Sequence, residues 1–288
     1  MSVLGRFAMW IKPFVLRCPP VAKFFRHIWD NWQMLDDPMD TPMGFKFVGN
    51  AEMQKGRFEP DETELVTRIL KSVDVVINIG ANIGYYCCFA LKEGKHVVAF
   101  EPIINNLRYL YKNIKGNHWE DRIEIFPMAL SNRVGTIEIF GGGTGASLIR
   151  GWAGSPDYFV ESVPVSTLDI VLGSRFHGKR CLVLIDIEGA EQLMLEGASA
   201  FLLHEPRPIW MVEITVAEHQ PKGTAINPHL LSTFQLFWTK GYEAFIADKH
   251  LRPILPAEIE SIVKSQADSL YSHNFLFIES DKKRDLLG

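Results

Sequence analysis

The sequence predicts an α/β fold built on an open, mostly parallel sheet, and the prediction follows from three stretches. Residues 73–102, VDVVINIGANIGYYCCFALKEGKHVVAFEP, run as an apolar strand (Val73 to Ile79), a small-residue turn from Gly80, a helical stretch from near Ile83, and a second apolar strand (Val97 to Phe100) ending in Glu101. Cys181 to Ile187 and Pro208 to Ile214 are continuously apolar, as strands covered on both faces are, and they end among Asp186, Glu188 and Glu213. Gly135 to Phe140 and Ser162 to Val165 alternate instead, the mark of a half-exposed antiparallel insert. With 288 residues and 47% apolar content, one large domain plus an appendage can bury such a core.

Taken in order, residues 1–29 carry Arg6, Lys12, Arg17, Lys23 and Arg26 with no acid before Asp30, interleaved with aromatic and aliphatic side chains. The apolar runs there are broken by charge or by Pro13, Pro19 and Pro20, which excludes a spanning helix and a signal-peptide pattern. A basic, aromatic arm over residues 1–30 suits peripheral contact with an anionic membrane surface; the plainer reading is a helical arm packed on the domain or against a partner. Residues 1–44 are therefore read as arm and connector, 45–280 as the domain, and 281–288 as a charged tail. A short strand is expected around Phe45 to Val48 and a helix over 61–71, opened by Pro60, Asp61 and Glu62. Beyond Glu101, Leu107, Leu110, Tyr111 and Ile114 stand at helical spacing, and Ile123 to Met128 forms the next strand.

The glycine-rich segment GGGTGASLIRGWAGSPDY (141–158) lacks the GK[ST] of a phosphate loop. It reads as a flexible connection, or as a flap offering Ser147, Trp152 and Tyr158 to a substrate ring. A helix over Pro228 to Lys240 has Leu230, Leu231, Phe234 and Phe237 on one face. Tyr242 to Ala247 and Asn274 to Glu279 close the sheet as an antiparallel pair, separated by a helix near Glu258 to Ser265.

A net charge of −4 offers no general attraction to nucleic-acid phosphates, so no nucleic-acid partner is expected. Cys18, Cys87, Cys88 and Cys181 form no CxxC pair and read as small hydrophobes in a reducing, cytoplasmic compartment. No histidine spacing matches a zinc site, and no metal ligands are assigned. Glu101, roughly twenty residues past the glycine turn, stands where an open sheet accepts the hydroxyls of a ribose, implying an adenosine-containing cofactor. Gly80-Ala81-Asn82-Ile83-Gly84 lacks the middle glycine that lets a backbone approach a pyrophosphate. A phosphate-free cofactor fits better, and S-adenosylmethionine is one: loop amides and Asn82 can bond its amino-acid end, while Gly80 and Gly84 allow the tight turn and close packing. The plain alternative is an ordinary strand-to-helix turn capped by Asn82. The cofactor-binding candidates are Asn78, Gly80, Ala81, Asn82, Gly84, Glu101, Pro102, Ala129 and Asp186.

The set INIGANIG, AFEP, STLD and LIDIEGAE, followed by VEI, resembles the FkbM family of S-adenosylmethionine-dependent methyltransferases over roughly Phe45 to Ile278, with GRFEPDE (Gly56 to Glu62) and NFLFI (Asn274 to Ile278) in register. The resemblance implies the class I methyltransferase (Rossmann-like) fold, a mostly parallel seven-stranded sheet with an antiparallel last strand and helices on both faces. It also implies O-methylation of a hydroxyl on a sugar, lipid-linked glycan or natural-product acceptor. Two positions depart from the pattern: Asn78 stands where the family has Asp, and Leu184 where it has Lys. Losing the charge at residue 78 beside a cationic sulfonium is worth about 1 kcal/mol of cofactor binding.

Transfer to an alcohol needs a base within hydrogen-bond reach of the hydroxyl. Asp186 is the first candidate, followed by Glu188 and Glu213; His219 is a further one, with an ordinary pKa nearer neutrality. Glu191 reads more simply as an acid favoured by a helix N-terminus. Close acids could also hold Mg²⁺ with the acceptor's hydroxyls, which the sequence leaves open. A nicotinamide-dependent oxidoreductase is disfavoured by the missing glycine, and a degenerate cofactor-binding or membrane-associated adaptor is the non-enzymatic alternative. No NPPY-like motif of an N-methylase is present. The acceptor and the oligomeric state are not legible.

Overall fold

The computed structural model describes residues 19–21 and 36–279. Most of the basic arm, Cys18 and the tail beyond 280 lie outside the described residues. The chain divides into two units, Met1–Asp37 and Pro38–Gly288, and the sheets and cavities described below belong to the second.

A two-residue ladder joins β1 (Met39–Asp40) and β2 (Lys46–Phe47). Next comes a helix that composition alone reads as connector: in α1 (Ala51–Gln54) the Asn50 side chain accepts from the Met53 N–H and so satisfies one of the helix's open donors. Pro60 starts α2 (Pro60–Leu70) at a position where its missing N–H costs nothing, and Leu65, Val66, Ile69 and Leu70 are buried. Two strand–helix units follow, β3 (Val75–Ile79) with α3 (Tyr85–Lys92), and β4 (His96–Phe100) with α4 (Ile104–Gly116). Helix α3 begins two residues later than expected because Gly84 takes a left-handed conformation, φ 88°. On α4 the buried face is Leu107, Leu110 and Ile114, while Tyr111 points away from it.

Strand β5 (Ile123–Phe126) ends short of Met128 because the chain then leaves the main sheet. β6 (Ala129–Leu130), β7 (Gly135–Phe140) and β8 (Val160–Ser166) form a separate three-stranded sheet, with β7 and β8 antiparallel as their alternation requires. After α5 (Leu168–Leu172), capped by Thr167, come β9 (Cys181–Ile185), α6 (Glu191–Glu196), β10 (Ile209–Glu213) and α7 (Leu230–Trp238). The last elements are β11 (Glu243–Ile246), β12 (Pro253–Ile254), α8 (Pro256–Ser265) and β13 (Asn274–Ile278). Among the described residues no helix is long and apolar enough to cross a membrane.

The main sheet has the order β12-β11-β13-β10-β9-β3-β4-β5, with β13 antiparallel to both neighbours and the central pairs parallel. Without β12 it is the seven-stranded class I methyltransferase sheet with its reversed last strand. The eighth strand is a correction: two residues at the edge, where Pro253 can sit because an outer strand has N–H positions that need no partner. Strand residues alternate between two cores, Ile77, Val98, Val183 and Val212 on one face, Val76, Val97, Leu182 and Met211 on the other. Phe237 stacks on Phe277 at 3.8 Å, seating α7 on the antiparallel side of the sheet.

Register positions the site. Ile79 pairs with both Phe100 and Ile185, and Ile185 pairs with Val212, so β3, β4, β9 and β10 end level. Gly80, Glu101, Asp186 and Glu213 consequently emerge along one edge, the carboxyl edge where open sheets hold ligands.

Candidate active site

Gly80, φ 80°, turns the chain so closely against β9 that a Cβ would overlap the Asp186 carbonyl oxygen. Its N–H and that of Ala81 both donate to the Phe100 carbonyl, at 3.0 and 2.9 Å. Gly84 lies behind the turn, where a Cβ would meet the Leu110 side chain. Its role is close packing of α3 on α4. Asn82 N–H donates to Glu101 Oε2 at 2.8 Å, tying the turn to the acid at the end of β4. Glu101 Oε1 accepts from the Ile103 N–H at 2.8 Å and Asn106 Nδ2 at 3.2 Å. A carboxylate has about four acceptor positions, so this one keeps capacity for a ligand.

Two cavities open along the sheet edge. The first is walled by Glu101, Pro102, Ala129 and Glu188, the second by Asn78, Ala81, Leu184 and Glu213, and Gly80, Asn82 and Asp186 border both. His219 borders neither: it is exposed, in a left-handed turn with φ 62°, and its ring centroid is 6.1 Å from that of Trp152. Its chemistry suits a base, but the loop after β10 carries it away from both cavities.

The glycine-rich segment is a second correction. Trp152, 2% exposed, is not offered to a substrate: its Nε1 donates to Glu188 Oε2 at 2.6 Å, and its ring lies over Gly189, where a Cβ would come within 2.5 Å of it. Ser147 Oγ is also buried and donates to the Glu188 carbonyl. The segment is thus pinned down with Gly143 and Thr144 on the wall of the first cavity, and Glu188 is the pin.

A family model described as Methyltransferase FkbM domain matches residues 78–244, more than half of the chain. The chain belongs to the FkbM methyltransferase family. It is therefore an S-adenosylmethionine-dependent methyltransferase. No curated protein matches it. Solved structures similar to it include an O-methyltransferase from Bacillus cereus in complex with SAH, 12% identical over 76% of this chain and 80% of that one, TM-score 0.42. Others are the StiE O-MT, 11% identical over 80% and 78%, TM-score 0.40, and a precorrin-6y C5,15-methyltransferase from Geobacter metallireducens, 9% identical over 69% and 79%, TM-score 0.38. Such scores mark distant likeness.

The FkbM site is acidic: among the described residues, neither cavity wall carries Lys, Arg or His. Burial pushes Glu101 up to about 7 against its three hydrogen bonds. Asp186 keeps surface accessible through the cavities, yet protein atoms crowd its carboxyl; burial first, then the charges of Glu213, Glu188 and Glu59, raise it well above the usual carboxylate range. Asp186 and Glu213 hydrogen-bond one another, and burial with the neighbouring acids holds Glu213 at about 7. Such a pair retains a shared proton. Among the described residues no group of three or more His, Cys, Asp or Glu is arranged to hold a metal ion. The site fits a cationic sulfonium cofactor on a further ground: Asn82 Oδ1, between the cavities, is buried and has no hydrogen-bond partner, an acceptor waiting for a donor.

The two departures from the family pattern turn out to be neighbours, since Asn78 pairs with Leu184 across β3 and β9. Both positions are buried, so the two departures leave adjacent buried positions uncharged. The Asn78 amide instead donates to Cys87 Sγ at 3.4 Å.

Three residues escaped sequence reasoning. Glu59, inside GRFEPDE, accepts from the Tyr86 hydroxyl at 2.7 Å, and both wall the second cavity. Burial raises its pKa, opposed by that hydrogen bond. Asn106 supports Glu101 from the first turn of α4 and also donates to the Gly143 carbonyl at 3.1 Å. The pattern of an acid followed five residues later by Asn on a helix face was the available signal.

Glu191 opens α6 fully buried, its Oε1 accepting from the Gly189 N–H at 2.9 Å. Burial, against those backbone bonds, pushes it up to about 7. A carboxyl raised in the fold contributes stability below its ordinary pKa and loses that contribution as pH rises through the raised value. Thermal melts of Glu191→Gln are thus expected to gain on the wild type at pH 8 relative to pH 5. A difference independent of pH would show that Glu191 titrates as a solvated acid.

Proposed function

We propose that this methyltransferase methylates a hydroxyl of a sugar, glycan or natural-product acceptor, with Asp186 and Glu213 receiving the hydroxyl proton. The observation that supports it best is the meeting of two devices at one sheet edge: the Glu101–Asn82 cradle and the hydrogen-bonded Asp186–Glu213 pair, with Asp186 bordering both cavities. When bound, the cofactor supplies an electrophilic methyl group on sulfur.

Glu101 receives the ribose hydroxyls, Pro102 and Ala129 flank the adenine side, and the loop amides with Asn82 Oδ1 receive the amino-acid end. Gly80 brings that loop against Asp186, so cofactor and base share one wall. With the cofactor bound and supplying its methyl group, Asp186 would take the hydroxyl proton of an acceptor held against the same wall. Asp186 must first surrender the proton it holds toward Glu213, which a positive charge nearby promotes. Orienting the two partners supplies much of the remaining acceleration. The acid walls also select against acceptors that carry phosphate or carboxylate beside the reacting hydroxyl.

Titration calorimetry is expected to register binding of S-adenosylhomocysteine and none of NAD, and labelled S-adenosylmethionine to label hydroxyl compounds in an acceptor panel. Binding of NAD in place of S-adenosylhomocysteine would overturn the assignment, and label on amines alone would overturn the hydroxyl.

A further inference from the structure

We propose that Trp152 is a positioning residue that relays occupancy of the first cavity to the loop after β10, residues 214–229; this rests on reading the first cavity as the cofactor site. The loop leaves the sheet directly after Glu213, so its setting decides the room beside the proton-accepting pair. Among the described residues, which include the whole loop, none of 214–229 walls either cavity. A ligand that fills them reaches the loop through intervening residues. The structure supplies such a path. Gly143, Thr144, Ala146 and Leu148 wall the first cavity, and Glu188 stands on the same wall. Glu188 grips the segment at two points: its carboxyl accepts from Trp152 Nε1 at 2.6 Å and its carbonyl accepts from Ser147 Oγ. Immediately beyond, the Ala153 N–H donates to the His219 carbonyl at 2.8 Å, and the Trp152 and His219 rings lie 6.1 Å apart. Glu218, the next residue of the loop, reaches His273 Nδ1 at 3.3 Å, so the loop is held between Trp152 and the residue that precedes β13.

The backbone gives an independent reason to look there. Eight described residues other than glycine have φ in the left-handed region, and three of them, Ala153 at 49°, Glu188 at 56° and His219 at 62°, meet around this one indole. Left-handed turns at residues with a Cβ persist only where the surroundings impose them, and they gather at clamps and switch regions. Burial of Trp152 is not explained by the cores either: it belongs to neither sheet core nor to the apolar cluster of the insert. A buried indole needs an acceptor for its N–H, and a carboxylate supplies a strong one. The junction therefore has one defined closed setting, made by a bond that a ligand pressing on Glu188 or on residues 143–148 tightens or loosens.

Amide hydrogen exchange on the full chain, with and without S-adenosylhomocysteine, tests the relay. In the wild type the ligand is expected to slow exchange about tenfold both in residues 143–148, which it touches, and in residues 215–225, which it does not. Trp152→Phe keeps an aromatic ring but has no N–H to donate. It is expected to retain the slowing at 143–148 and to lose most of that at 215–225. A merely structural role would shift exchange in the loop equally with and without ligand, and that result overturns the proposal. Ser147→Ala removes the second grip on Glu188 and is expected to reduce the response of the loop by less; it carries the test if Trp152→Phe does not fold, and an undiminished response then overturns the relay. Slowing confined to 143–148 in the wild type overturns the relay alone. A wild type that shows no slowing at 143–148 overturns the reading of the first cavity on which it rests.

Discussion

Asp186→Asn is expected to reduce methyl transfer by about 10²- to 10⁴-fold, the usual range for loss of a positioned proton acceptor, with S-adenosylhomocysteine affinity changed by less than about threefold. Asparagine keeps the size of the side chain and much of its hydrogen bonding but cannot take a proton. The pH profile carries a second signature. Burial and neighbouring acids raise both Asp186 and Glu213, so the pair keeps its proton at low pH and offers a base only as pH rises through its raised apparent value. Wild-type turnover should therefore climb with pH above the usual carboxylate range, and this rise should shrink in the variant. Full turnover with weakened cofactor binding would mean that Asp186 serves the cofactor and that the base lies elsewhere.

The second large effect is expected for Glu101→Ala, a loss of about 10- to 100-fold in S-adenosylhomocysteine affinity, the scale of hydrogen bonds to a charged group. Turnover at saturating cofactor should stay within a few-fold, because none of the hydrogen bonds of Glu101 goes to Asp186 or Glu213. Truncation also strands the Asn82 and Ile103 N–H donors, so melting should be followed in parallel, with Glu101→Gln as the variant that retains an acceptor for one of them. Unchanged calorimetric affinity in both variants would remove Glu101 from the cofactor site.

Much of this was legible in the chain because the sheet is spelled in runs. Five-residue apolar stretches such as Val75–Ile79 and Cys181–Ile185, each ended by a glycine or an acid, state both a strand and the edge its ligand groups occupy. Short elements were harder: α1 depends on one cap from Asn50, and β12 on an edge left open by β11. Contacts across long stretches of sequence were invisible. Trp152 and Glu188 are 36 residues apart, and nothing in either neighbourhood shows that an indole will consume the carboxylate. Glu59 was hidden for a different reason, since a left-handed residue before proline contradicts what composition leads one to expect. His219 failed in the opposite direction, its suitable chemistry outweighing a position that only the loop's course could reveal.

The level ends of β3, β4, β9 and β10 have a consequence for how such an enzyme diversifies. The strands set the distances among Gly80, Glu101, Asp186 and Glu213, so the residues connecting β10 to α7 can be lengthened, shortened or exchanged without moving these four. A one-residue slip within any of these four strands, by contrast, would displace those residues and turn core side chains to the wrong face.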